Sequence, residues 1–191
     1  MALRKIATIG HPVLRDRARE VSREELLGAS VQALVDDMIE TMRDAQGAGI
    51  AAPQVHESVR ICVIEVKDNP RYPYKPNFPL TVLVNPIVEP TTVETFLNYE
   101  GCLSVPNLRG EVPRSAGVRV QAWDRHGEPV RMALQGLTAG TFQHEADHLD
   151  GTLFVDRVVD TRSLCTWADF DRFHRERFAE RARALVARFG S

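Results

Sequence analysis

The nine residues QHEADHLDG (143–151) constrain this chain more than any other stretch. Two histidines, His144 and His148, stand four apart, with Glu145 beside the first. On an α-helix, positions i and i+4 lie one turn apart on the same face. Two imidazoles placed so converge on one metal ion, and the adjacent glutamate reaches a water held there. This is the H-E-x-x-H arrangement of zinc hydrolases. The alternative is a surface helix that carries two histidines by accident. A third ligand decides between the two, so the fold must bring one to this helix.

The rest of the chain sets the frame. With 191 residues and 43% hydrophobic content, it is long enough to bury a proper core as one domain, residues 1–191. A net charge of −2 provides no basic field for DNA. The opening MALRKIATIG has no apolar run behind its basic residues, which argues against a signal peptide. No stretch approaches the roughly 18 apolar residues that span a bilayer. Cys62, Cys102 and Cys165 are few, odd in number and far apart. That favours reduced thiols and a cytoplasmic protein over a disulfide framework.

The pattern of elements reads as α+β. Ser22 and Glu25 have capping-box spacing. Val31, Leu34, Val35, Met38, Ile39 and Met42 form an amphipathic stripe. Ser30 is the predicted cap of that helix and Gly47 its stop. RICVIEV (60–66) predicts a buried strand. KDNPRYPYKPNFP (67–79) carries four prolines and predicts an extended surface segment. LTVLVNPIV (80–88) predicts a strand as far as Asn85-Pro86, and 93–101 a further one. GVRVQAWD (117–124) and PVRMALQGL (129–137) flank RHGE, a hairpin signal. Thr138 is the predicted cap of the histidine helix, with Gly151 just past its end. A second long helix is expected over 167–189. Phe170 and Phe173 anchor its start, and Phe178, Ala182, Leu185 and Phe189 continue its stripe. The expected architecture is mostly antiparallel strands around a central metal-binding helix, with a C-terminal helix.

Two sources of a third ligand remain open on the residues alone. Metzincins place a histidine ten residues after the first, where this chain has Phe154, so that class is excluded on ligand count. Thermolysin-like enzymes take a carboxylate from a later helix, and Asp169, Asp171 and Glu176 lie at loosely suitable distances. The same acids also read as a solvated face of an arginine-rich helix. Upstream, EGCLSVP (100–106) offers Cys102. A thiolate is a strong ligand for a first-row metal, whereas a lone cysteine is often a small buried hydrophobe. Cys62 sits in an apolar strand and reads as packing. GAGIAAPQ (47–54) places two glycines and small residues before Gln54, which lets backbone approach a ligand closely. It lacks the lysine of a P-loop.

Taken together, GAGIAAPQ, EGCLS (100–104) and QHEADH (143–148), in this order, resemble the three signature motifs of peptide deformylases. GHPVLR (10–15) and VPRSAGVRV (112–120) extend the resemblance to roughly residues 3 to 160. The resemblance implies Cys102, His144 and His148 as metal ligands and Glu145 as catalytic acid and base. It implies that Gln54 and the backbone N–H of Leu103 bind the developing oxyanion. It places the backbone of Ala48, Gly49 and Gly101 along the peptide substrate, and Arg109 as an arginine that shapes the site. It implies one divalent ion, Fe(2+), with Zn(2+), Ni(2+) or Co(2+) able to occupy the site; the motif alone names zinc first. The implied substrates are N-formyl-Met peptides, and the C-terminal helix of the family docks on the ribosome. Ala48 and Gly140 are smaller than the aliphatic residues many members carry there, which widens the pocket for the first substrate side chain. Two rivals stand beside this reading. One is another H-E-x-x-H metallopeptidase, which needs no Cys102. The other is a closed structural metal site, which needs a fourth ligand that the scattered His11, His56, His126 and His174 do not offer.

Overall fold

The computed structural model describes residues 2–191. Helix α1 (Arg23–Leu27) begins with the anticipated capping box. Ser22 Oγ accepts from the Glu25 N–H at 3.1 Å, and Glu25 accepts from the Ser22 N–H at 2.9 Å. Helix α2 (Ala29–Asp44) buries Leu34, Val35, Met38, Ile39 and Met42. Its cap is Gly28, and Ser30 lies inside the first turn, because α1 runs into α2 with a single residue between them. The helix closes before Gly47: Gln46 takes the left-handed conformation (φ 52°), and the Gly47 N–H returns to Met42 O.

Five antiparallel strands form the main sheet, in the order β1 (Gly49–Ala51), β2 (Ile61–Val66), β3 (Phe78–Pro90), β6 (Gly117–Trp123), β7 (Pro129–Gln135). Strand alternation divides the core. Ile50, Ile61, Val63, Val82 and Val84 face α2. Ala51, Cys62, Ile64 and Leu83 face the opposite side, against Ala139, Phe142 and Leu149 of α3 (Gly136–Leu149). The sheet is therefore buried on both faces, which is why RICVIEV reads as a continuous apolar run. β3 does not stop at Asn85. A bulge there (φ 51°) absorbs the proline, and the Asn85 side chain bonds the backbone of Val21 in both directions.

β4 (Thr95–Cys102) and β5 (Val105–Ser115) form a separate two-stranded sheet. β5 is absent from the sequence reading, because Pro106, Gly110 and Pro113 interrupt any alternating pattern. The hairpin across RHGE forms as expected, with Gly127 at φ 79°. α3 starts two residues before Thr138, and its cap position is Gln135. Gly151, just past its end, has φ 71° and lies against Arg15 backbone.

The tail is three pieces: α4 (Trp167–Asp169), a π-helical turn (Phe170–His174) and α5 (Arg175–Phe189). The wider π turn rotates Phe173 off the buried face, and it is 63% exposed. Phe170, Phe178 and Ala182 are buried as expected, with Leu185 and Phe189 packed at the edge. The architecture is thus α+β, antiparallel, around the histidine helix.

Candidate active site

Cys102 ends β4 where the pairing with β5 breaks register. The chain then doubles back, so the Ser104 N–H lies 3.3 Å from Cys102 Sγ. α3 passes beside this corner. His148 Nε2 stands 3.2 Å from Cys102 Sγ. One donor atom from each of Cys102, His144 and His148 lies within 4.8 Å of the others. This is the one such cluster of three among the described residues. The tail carboxylates take no part. Asp169, Asp171 and Glu176 are exposed, with Asp169 bonded to Thr166 and Asp171 to Arg175.

The donor set fits a transition-metal ion. Burial opposes ionisation of Cys102, yet the imidazoles of His148 and His144 outweigh it and bring the thiol down to about 5. A thiolate and two imidazoles are ligands of the kind such ions take. His144 Nδ1 lies 2.8 Å from Glu100 Oε2, which leaves Nε2 free. His148 Nδ1 is buried and has no partner.

Glu100 is anchored in turn. Arg114 binds it with two hydrogen bonds, of 2.7 and 2.9 Å, and binds Asp147 at 2.6 Å. Arg157 holds the far side of Asp147. Burial penalises the Glu100 carboxylate, but Arg114 and His144 hold it well below the usual carboxylate range. This buried chain fixes the His144 ring. The sequence reading missed it, although Glu100 lies within EGCLS and Arg114 within VPRSAGVRV.

Glu145 points into the same space. Its Oε2 is buried with no partner, and burial raises its pKa. Gly49 of β1 faces it directly. A Cβ at Gly49 would stand 2.7 Å from Glu145 Cδ and 2.9 Å from Cγ, so the glycine is what leaves room for the carboxyl group. Gln54 is set by its own loop: its Oε1 accepts from the Ala51 N–H at 2.8 Å. That turns Nε2 inward, toward Ser104 Oγ (3.1 Å) and Cys102 Sγ (3.5 Å).

These groups share a cavity of about 40 Å³. Ala48, Gly49, Gln54, Gly101 and Leu103 lie on its wall, with Cys102, His144 and Glu145. Arg109 does not. It is fully buried behind the wall, 3.8 Å over the Phe170 ring centre and 4.4 Å over that of Trp167. It donates to Tyr74 Oη at 2.8 Å and to Tyr99 O at 2.6 Å. The proline-rich stretch reaches the wall too: Tyr72 and Lys75 line the cavity, beside Asn98 and Thr141. Composition reads that stretch as surface, and nothing periodic in it signals burial.

A model of the polypeptide deformylase family matches residues 3–163, and with them every wall residue just named. The chain belongs to that family. A peptide deformylase 2 of a Nostoc species is 41% identical over 165 residues, covering 86% of this chain and 91% of its own. A crystal structure of a class I type b peptide deformylase from Acinetobacter baumannii, bound to Met-Ala-Ser, is 41% identical with a TM-score of 0.79. It covers 82% of this chain and 99% of its own. An actinonin complex of a peptide deformylase from Synechococcus elongatus is 32% identical with a TM-score of 0.73, covering 97% and 85%. Members of the family are metalloenzymes that remove the N-formyl group from nascent peptides, and that is the reaction of this chain. The general metallopeptidase alternative falls away. No helix of the described residues is long and apolar enough to cross a membrane.

Proposed function

We propose that the cavity receives the formyl-methionine end of a nascent peptide, with Fe(2+) held by Cys102, His144 and His148. The observation that carries this reading is a desolvated carboxyl group, Glu145, standing beside a Cys/His/His donor cluster. The Met-Ala-Ser held by the Acinetobacter relative, a peptide with methionine at its N-terminus, supports the substrate. Iron follows from the family resemblance; the donors themselves suit Zn(2+), Ni(2+) or Co(2+) as well. When bound, such an ion supplies Lewis acidity toward water and the formyl oxygen.

The protein groups divide the remaining work. Glu145 takes a proton from the attacking water and passes it to the departing amine. Its raised pKa brings uptake and release closer to neutrality. Gln54 Nε2 and the Leu103 N–H stabilise the oxyanion, each such donor being worth ~10²–10³ in rate. The other end of Gln54 is already tied to Ala51, so only the Nε2 contacts to Ser104 Oγ and Cys102 Sγ shift for this. The backbones of Ala48, Gly49 and Gly101 line the peptide. Arg109 acts by propping Tyr74, Tyr99 and Trp167 behind that wall. Glu100 fixes the ring and tautomer of His144.

Two variants test these roles. Glu145→Ala keeps its metal and loses turnover, whereas near-full activity would overturn the acid–base assignment. Cys102→Ser loses iron content and rate together. Unchanged metal content would remove the cysteine from the ligand set.

Residues 1–191 act as one catalytic domain in a cytoplasmic setting, with the tail helix packed onto β4. Ribosome docking through that helix draws on Arg172, Arg177 and Arg183, which are exposed and form no ion pair among the described residues. Arg175, Arg181 and Arg188 are spent on Asp171, Glu111 and Glu94. Reversing the charge of the three exposed arginines abolishes ribosome co-sedimentation while the core stays intact. Unaltered co-sedimentation would refute the docking.

A further inference from the structure

The proline-rich stretch delivers a cation into the cavity that the chemistry does not use. Lys75 Nζ lies 2.8 Å from Thr141 Oγ1 and 5.0 Å from the Tyr72 ring centre. An ammonium carries three donors, and Thr141 takes one. Burial pushes the amine down to about 8, against the pull of Glu100 and Glu145.

Its position is defined by α3. Thr141 stands one turn before Glu145, and Gly140 one turn before His144. Lys75 therefore marks the end of the cavity one helical turn from the catalytic groups. That is the reach of a side chain on the residue that bears the formyl group. Asn98, on the same wall, has a buried Oδ1 with no partner, while its Nδ2 donates to Glu100 Oε1 at 3.1 Å. Behind the Lys75–Thr141 pair lies a second hollow of about 10 Å³, walled by Ile64, Val66, Phe78 and Leu137. Lys75 and Thr141 line both spaces. Their hydrogen bond lies where the two hollows meet.

We propose that Lys75 determines side-chain selectivity. Bridged to Thr141, it closes the catalytic cavity against the apolar hollow and offers its remaining N–H donors to the first side chain of a formyl peptide, favouring a neutral hydrogen-bond acceptor there over a hydrocarbon of equal length. A carboxylate is disfavoured, since Glu100 and Glu145 share the space. The proposal rests on the deformylase reading of the cavity.

The test compares kcat/KM for formate release from formyl-Gln-Ala, formyl-Met-Ala and formyl-norleucine-Ala by metal-replete protein. In wild type, glutamine leads norleucine by ~10-fold or more, the worth of one hydrogen bond to a charged donor. Methionine, whose sulfur is a weak acceptor, falls between them. Lys75→Met keeps the length, removes the donors and reverses the order, and Lys75→Arg retains glutamine's lead. Each comparison is a ratio within one protein, so it is independent of how much chemistry survives a substitution. An equal or larger kcat/KM for norleucine in wild type overturns the proposal, and does so even if Lys75→Met does not fold. An unchanged ratio in folded Lys75→Met also overturns it. Silence of wild type on all three peptides removes the underlying deformylase reading, and the proposal with it.

Discussion

Gly49→Ala separates placement of the catalytic carboxyl from stability of the fold. Gly49 pairs with Ile64 in the sheet and has no positive φ, so alanine adopts its backbone without strain. By that argument alone the change stabilises by about 0.4–1 kcal/mol. The atoms nearest the added methyl all belong to Glu145, with Cδ at 2.7 Å and Oε1 closer still. Carbon atoms rest at about 3.5–4.0 Å, so the carboxyl must retreat by about 1 Å. A misplacement of that size costs ~10²-fold in rate. Complete loss of acid–base catalysis costs ~10²–10⁴-fold, which sets the upper limit. The expected variant therefore melts within about 3 °C of wild type and loses about 100-fold in kcat/KM for formate release. A folded variant within threefold of wild-type activity would show that the Glu145 position seen here is not the working one. A large fall in melting temperature would assign Gly49 to packing instead.

Other expectations follow from the buried charges and the cluster. Arg114→Met leaves Glu100 buried without its main partner, at a cost of about 3–5 kcal/mol. The melting temperature should fall by roughly 6–20 °C, and a fall under about 3 °C would show that the pair is not needed. Glu100 has a depressed pKa in the folded state, so its contribution is complete above the unfolded value of about 4.3 and fades as pH falls below it. Between about pH 5 and pH 3, wild type should lose more stability than Glu100→Gln in thermal melts; parallel losses would contradict this. Chelation should abolish formate release, and readdition of Fe(2+) should restore it with one ion bound per chain. Activity that survives complete metal removal would refute the site.

The chemistry was legible because it depends on residue types at short spacing. His144, Glu145 and His148 share one turn of helix, and Cys102 and Gln54 stand in short glycine-flanked stretches. Residue types alone leave Cys102 and the tail acids open, because the distance between β4 and α3 is a tertiary fact; the family resemblance is what points to Cys102. The same holds for Glu100, Arg114 and Asp147, which meet across 14 and 33 residues. Helix caps were misplaced at Ser30 and Thr138. In both cases a good capping residue lost to the geometry of the preceding element. Phe173 was misread because a π turn breaks the 3.6-residue period that the reading assumed. Lys75 and Tyr72 lie in a stretch whose prolines signal surface, and only folding across the cavity buries Tyr72 and half-buries Lys75.

As assigned, these groups cleave a formyl amide. The most direct measurement is formate release from N-formyl-Met-Ala by anaerobically purified, iron-loaded protein, with unformylated and N-acetylated Met-Ala alongside. Rapid release from the formyl peptide and no cleavage of the other two is the expected result. Metal-loaded, folded protein that releases no formate, or that cuts all three peptides alike, would contradict it.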